Sequence, residues 1–167
     1  MALTSAQLVT LKADIAANTN TTTTYPGVQI KDLNLLNGDH ADAIAKWYNT
    51  TASPDFVVWR SNVPISEVGK SFNGTELAGL TTGNQTRLQT LALYFADGVN
   101  PSLADVRSFF DDVFSGAGGT TTRANLAVTW KRLANRVEKV LASGTGTTQS
   151  PATMGFEGTI TYQDLHA

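Results

Sequence analysis

The sequence predicts a mainly α protein: a compact bundle of about five helices with long loops and a C-terminal extended β arm. Apolar residues recur every three or four positions in several segments, a pattern typical of amphipathic helices. Polar capping residues precede several of these segments. The last residues of the chain alternate apolar and polar side chains instead, which is typical of a strand.

The first helix has the clearest start signal. Thr4 or Ser5 can cap it, and Gln7 follows Thr4 by three positions, as in a capping box. Leu11 and Ile15 then lie on one helical face. We expect the helix to end by Asn18. The polar, β-branched run that follows closes with Pro-Gly and predicts a loop.

Two further segments follow the loop. A second helix is predicted from Asp39, as its cap, through Tyr48, with Ile44, Trp47 and Tyr48 facing inward. Phe56–Arg60 is a short apolar run, for which periodicity leaves a strand and a helix start equally open.

Further helical signals come next. Pro64 suits a first helical position. Thr75–Leu80 indicates a single turn, and helices are predicted at Thr82–Ala96 and from Pro101 onward. A glycine-rich connector at Ser115–Gly119 separates them from one long last helix.

The last helix is predicted over Thr121–Ala142, and Ser143-Gly144 ends it. A Thr/Gly/Ser tether follows, and then the strand-like residues Gly155–Asp164. We therefore expect a helical domain over residues 1–143, with a loop excursion at 19–36, and a tethered docking arm over residues 144–167. The core is expected to fold without the arm.

The composition limits the classes of partner that the protein can bind. The chain has 12 basic and 14 acidic residues, so its net charge of −2 argues against general binding of nucleic acid or of an anionic membrane surface. No apolar run approaches the ~18 residues that span a bilayer. Charged residues make up only 16% of the chain, and Thr, Asn, Gln and Ser supply much of its polarity. Such surfaces suit contacts with other proteins, whose interface cores are depleted of charge.

Candidate chemical groups are sparse. His40 and His166 have no second histidine at metal-ligand spacing, and solvated surface groups explain them more simply. Asp111-Asp112 are adjacent, so on a helix their side chains diverge by about 100°. Asp39 and Asp42 have better spacing for shared chemistry, although the helix dipole explains acids at a helix start.

Other catalytic signatures are incomplete. The run Gly116–Thr120 lacks the Lys-Ser/Thr ending of a phosphate loop, and no nucleophile elbow occurs. We therefore expect no enzyme activity, no catalytic residue, no metal and no cofactor. A small hydrolase with a scattered Asp/Ser site is the alternative from another class.

Two groups of residues are candidates for protein contacts. Arg132, Arg136 and Lys139 recur at i, i+4 and i+7 of the predicted last helix and form a basic stripe. The stripe is either a solvated face or a docking surface for an acidic partner. Trp59 and Arg60 belong to residue types that are enriched at interface hot spots, although a core position for Trp59 is equally open.

The arm contributes three further candidates. Phe156, Ile160 and Tyr162 share one face if Phe156–Tyr162 is a strand. Such a strand can add to the edge of a partner's sheet. The alternatives are a local hairpin and a tail folded back on its own helices.

Three blocks together carry a resemblance to a known family. They are SPDFVVWR at 53–60, VRSFFDDVFSG at 106–116, and the closing block from Arg123 through Asp164, which includes EKVLASGTGT and SPATMGFEG. On these blocks, about two thirds of the chain, the sequence resembles small structural proteins encoded beside the capsid and portal genes of tailed bacteriophages. They look like head-to-tail connector, or adaptor, subunits. Thr19–Leu36 looks like an insertion against that pattern.

The resemblance implies a virion structural protein that assembles in the bacterial host cytoplasm. It implies a ring of copies, commonly a dodecamer, between the portal protein and a tail or nozzle protein, with DNA only passing through the lumen. It also implies helical subunits with an extended terminal segment that reaches a neighbour or the portal. Another virion role, in head decoration or tail completion, is the alternative within the same class.

Overall fold

A computed structural model describes residues 3–94 and 97–166, and the chain is mainly α, as predicted. Its elements follow in chain order, with short 3-10 turns at Ile30–Asp32 and Ala117–Gly119: α1 Ser5–Ala17, α2 Gly38–Tyr48, β1 Val57–Trp59, α3 Ile65–Lys70, α4 Gly74–Ala78, α5 Thr82–Tyr94, α6 Ala104–Val113, α7 Thr120–Thr129, β2 Lys131–Leu133, α8 Arg136–Leu141, β3 Ala142–Ser143, β4 Thr153–Met154 and α9 Tyr162–His166.

The chain divides into two compact units instead of the single bundle expected. Unit 1 comprises Met1–Val58 and Leu133–Ala167, and unit 2 comprises Trp59–Arg132. β1 and β2 form one two-stranded sheet, and β3 and β4 form a second two-stranded sheet within unit 1.

Local signals place the first two helices. Thr4 accepts a hydrogen bond from the backbone N–H of Gln7, and the Gln7 side chain accepts one from the Thr4 N–H, so the predicted capping box is confirmed. The predicted cap of α2 is wrong, because Asn37 caps that helix and accepts from the N–H groups of Asp39 and His40. Leu11 and Ile44 are fully buried between these helices and their neighbours.

The core of unit 1 includes the end of the chain. Phe156, Ile160 and Leu165 are at most 3% exposed and pack in one apolar cluster with residues of α1, α2 and α8. Tyr162 begins α9 and is 42% exposed. The predicted strand over Phe156–Tyr162 is therefore not formed, and Tyr162 does not share a buried face with the other two.

Polar side chains hold this closing segment in place. Gln7 donates to the carbonyl of Gly155, at 2.6 Å. The Asn49 amide donates to the Ile160 carbonyl at 2.8 Å and accepts from the Ile160 N–H at 2.9 Å. Gly158 donates its N–H to the buried Glu138 carboxylate at 2.9 Å. The expectation that the helical core of residues 1–143 folds without the arm is therefore not supported, because residues of the arm complete the core of unit 1.

The tether is packed as well. Val57 donates its N–H to the carbonyl of Gly146 at 2.8 Å, and Ala152 donates to the carbonyl of Val57 at 2.9 Å. Gly146 has a positive φ of 66°, and a Cβ there would lie 2.2 Å from the Phe56 ring. Only glycine fits this turn, since other residues would be strained and would clash.

Unit 2 has its own aromatic core. Phe110, Phe114 and Trp130 are at most 4% exposed, and the Phe110 and Trp130 ring centroids are 5.4 Å apart. Trp130 therefore belongs to the core of unit 2. The end predicted at Ala96 for the helix that begins at Thr82 lies outside the described residues.

The prediction of one long last helix over Thr121–Ala142 is wrong. α7 ends at Thr129, Lys131–Leu133 pair with β1, and α8 begins only at Arg136. The N–H of Ala134 donates to the carbonyl of Phe56 at 2.8 Å, so the break satisfies backbone groups of the neighbouring strand. Arg132 therefore does not share a helix with Arg136 and Lys139.

Candidate functional site

An open cleft of about 530 Å³ lies within unit 1. Its walls come from the end of α1 and the loop after it, the end of α2, the turn before β1, and α8. The lining residues are Asp14, Ala17, Asn18, Thr19, Asn20, Trp47, Tyr48, Ser53, Arg136, Lys139 and Val140. Two of the residues predicted to make protein contacts, Arg136 and Lys139, thus line the same cleft.

A hydrogen-bonded network forms one side of the cleft. The Tyr48 hydroxyl donates to Asp14 Oδ2 at 2.5 Å, and Asn18 Nδ2 donates to the Tyr48 hydroxyl at 3.0 Å. Asn18 Oδ1 accepts from the backbone N–H of Asn20 at 3.0 Å and from its side-chain amide at 2.8 Å. These bonds order the loop that follows α1.

The network keeps the phenol protonated. Burial of Tyr48 and its hydrogen bond to Asp14 raise the pKa of the phenol well above its ordinary value, and the bond from Asn18 opposes this only in part. A nucleophile or general base needs a pKa shift in the opposite direction. Tyr48 therefore serves as a hydrogen-bond donor that links α2 to α1.

Arg136, which lines the same cleft, is held in a fixed orientation. Its guanidinium carbon lies 4.1 Å from the centroid of the Trp47 ring, a cation–π distance. Its Nη1 donates to the Trp47 carbonyl at 3.2 Å and also to the Thr50 hydroxyl. A guanidinium that is already ordered loses less side-chain entropy when a carboxylate binds it.

Lys139 lies one helical turn along α8, on the same face as Arg136. Its ammonium is 5.7 Å from the centroid of the Phe56 ring. Within residues 3–94 and 97–166, neither cation lies within ion-pair distance of a carboxylate. The cleft therefore presents two positive charges against the single carboxylate of Asp14.

A second cleft, of about 570 Å³, lies within unit 2 and contains Arg60. Arg60 pairs with Glu67 at 2.6 Å and also donates to the Thr129 carbonyl at 3.2 Å. The Arg60 hydrogen bond lowers the pKa of Glu67. Lys70 and Lys131 also line this cleft. The charge of Arg60 is thus already matched within unit 2.

Trp59, the other candidate beside it, is half-buried in unit 2. The Arg107 guanidinium lies 4.1 Å from the centroid of its ring, and the Lys131 ammonium lies 5.5 Å from it. The predicted interface anchor is thus stacked against cations of its own unit. Arg132, in β2, lines neither cleft.

Sequence reasoning did not place the two cations beside the other residues of this cleft. Asp14, Asn18 and Trp47 reach the cleft from α1 and α2, far from α8 in sequence. The signal available was modest: an acidic residue on the polar face of the first helix, and a Trp-Tyr pair at the end of the second.

Two further findings concern metals and membranes. Among the described residues, no three acidic, histidine or cysteine side chains come together in a way that would hold a metal ion. No helix in the described ranges is both long enough and apolar enough to cross a membrane.

Comparison with protein families, with curated proteins and with solved structures found no match to this chain.

Proposed function

We propose that this protein is a virion structural protein, an adaptor subunit that assembles with further copies between the portal and the tail of a tailed phage. The three sequence blocks described above support the class. The structural observation that carries the proposal is the unit 1 cleft, where an ordered Arg136 on Trp47 lies beside Lys139.

The groups in this cleft suit the binding of a protein side chain. Arg and Trp are over-represented at interface hot spots, and ordering before binding increases their contribution. The polar lining, which includes Asn18, Asn20 and Ser53, offers donors and acceptors to a docking segment. The acid that faces them, Asp14, is occupied by the Tyr48 hydroxyl through one of its oxygens.

If residues 144–167 acted as the expected docking arm, their release from unit 1 would cost free energy. Reaching a partner would require Phe156 and Ile160 to leave the unit 1 core, where each is at most 3% exposed. Burying such side chains is worth about 1.5–3 kcal/mol each, so partner contacts would have to replace that amount. Contacts through the cleft have no such cost.

Electron microscopy of the purified protein mixed with its portal protein tests the proposal. Closed rings that cap the portal, absent when Trp47→Ala/Arg136→Ala protein is used, would support it. Binding of the protein to the outer surface of capsids instead, or at the tail tip, would refute the adaptor function and favour head decoration or tail completion. Circular dichroism shows beforehand that the double variant is folded.

A further inference from the structure

Two oppositely charged sites on this chain carry side chains that form no ion pair among the described residues. The first is the unit 1 cleft, where Arg136 and Lys139 lie one turn apart on α8 and outnumber the one carboxylate of Asp14. Neither cation has an ion-pair partner among residues 3–94 and 97–166.

The second site is at the end of α6. Asp111 and Asp112 are exposed and lie in the last turn of α6 (Ala104–Val113), a turn without a basic residue. The helix dipole places partial negative charge at this end, so two carboxylates there are unfavourable for the helix itself. No described cation lies within ion-pair distance of either acid.

We propose that these two sites bind each other between copies: Asp111 and Asp112 of one copy dock at Arg136 and Lys139 in the cleft of the next. This inference rests on the proposed function, because it names the surface through which adaptor copies associate. The contact is heterologous, since one copy supplies the acids from unit 2 and the other supplies the cleft from unit 1.

The side-chain directions favour this pairing over other occupants. Adjacent helical residues diverge by about 100°, so Asp111 and Asp112 are poorly placed for one shared ion but can address two separate cations. Arg136 and Lys139 are such a pair, about 5–6 Å apart at their Cβ atoms for i, i+3 spacing. The other cationic cleft is a weaker receptor, because Glu67 already pairs with Arg60 there.

A charge-reversal experiment tests the contact. The Lys139→Glu variant has an acidic cleft and unchanged acids, whereas the Asp111→Lys/Asp112→Lys variant has an unchanged cleft and basic residues at the end of α6. By sedimentation velocity, each variant alone should self-associate at least about tenfold more weakly than the wild type, since like charges then face each other. A mixture of the two should recover association, because the cleft of each variant then meets an α6 end of opposite net charge.

Matched controls exclude a general charge effect. Lys70→Glu reverses a cation in the unit 2 cleft, and Asp32→Lys reverses an exposed acid of unit 1. Both should associate like the wild type. Raising the salt from about 0.05 M to about 0.5 M should weaken wild-type association.

Folding of the variants is measured separately. Thermal unfolding of Asp111→Lys/Asp112→Lys should occur at or above the wild-type midpoint, because cations suit a helix C-terminus. A wild type that stays monomeric, variants that associate normally, or a mixture that does not recover association would each overturn the proposed contact. Portal binding that persists in those cases would leave the adaptor function standing.

Discussion

Replacing Ile160 by alanine is expected to destabilise unit 1 by about 2–5 kcal/mol, the usual cost of removing a large aliphatic side chain from a core. Ile160 is 2% exposed and packs in the cluster that contains Leu11 and Ile44. The Asn49 amide fixes its backbone through two hydrogen bonds, of 2.8 and 2.9 Å, so the segment cannot easily shift to fill the space left behind.

Thermal unfolding followed by circular dichroism measures this effect. For a domain of roughly 60–100 residues, each kcal/mol moves the midpoint by about 4–8 °C, so a drop of at least about 8 °C is expected. Thr159→Ala is the matched control, because Thr159 is the exposed neighbour of Ile160. An Ile160→Ala midpoint within about 2 °C of that control would show that the segment does not belong to the core of unit 1.

Three further outcomes are expected from the same unfolding measurement. Glu138→Ala should lower the free energy of unfolding by about 1–3 kcal/mol for each backbone donor that it leaves unpaired, and the Gly158 N–H is one of these donors. An unchanged unfolding midpoint would contradict this. Glu76 is partly desolvated, but bonds from Thr122 and its neighbour outweigh that effect and lower the pKa of Glu76 to about 2. The stability that the ionised Glu76 carboxylate contributes should be complete above about pH 4.5 and lost as the pH falls toward about 2. This part of the acid unfolding transition should be missing in the Glu76→Gln variant. Leu36→Ser should change stability by less than about 0.5 kcal/mol, because Leu36 is 86% exposed.

Elements whose signals are local could be predicted from the sequence. The start of α1 depends on Thr4 and Gln7, which are three residues apart, and the structure has the predicted capping box. The fold class follows from the same short-range periodicity. By contrast, the break between α7 and α8 depends on the pairing of β2 with β1 and on the Phe56 carbonyl, just before β1, which accepts from the N–H of Ala134. No periodicity within residues 121–142 reports that distant partner.

The candidate site was predictable only in part, for the same reason. Arg136 and Lys139 could be selected because their spacing on one helix is short-range information. Their arrangement with Trp47 depends on the packing of α8 near the end of α2, almost 90 positions earlier in the chain. Phe156 and Ile160 were selected as apolar residues of the tail, but the alternation of side chains does not say whether a partner or the chain's own helices cover them.

Long-range hydrogen bonds also explain the unusual composition of the chain. Abundant Asn and low charge are typical of a contact surface, yet many asparagines form hydrogen bonds with backbone groups of their own unit. Asn73 and Asn135 cap helices, and Asn49 and Asn135 bond to the closing segment. Because that segment has only the two residues of β4 in a sheet, several of its other N–H and C=O groups, such as those of Gly158 and Ile160, bond to side chains. An amide supplies both a donor and an acceptor without the desolvation cost of a charge, so the richness in Asn follows from short strands and long connections as well as from contacts with partners.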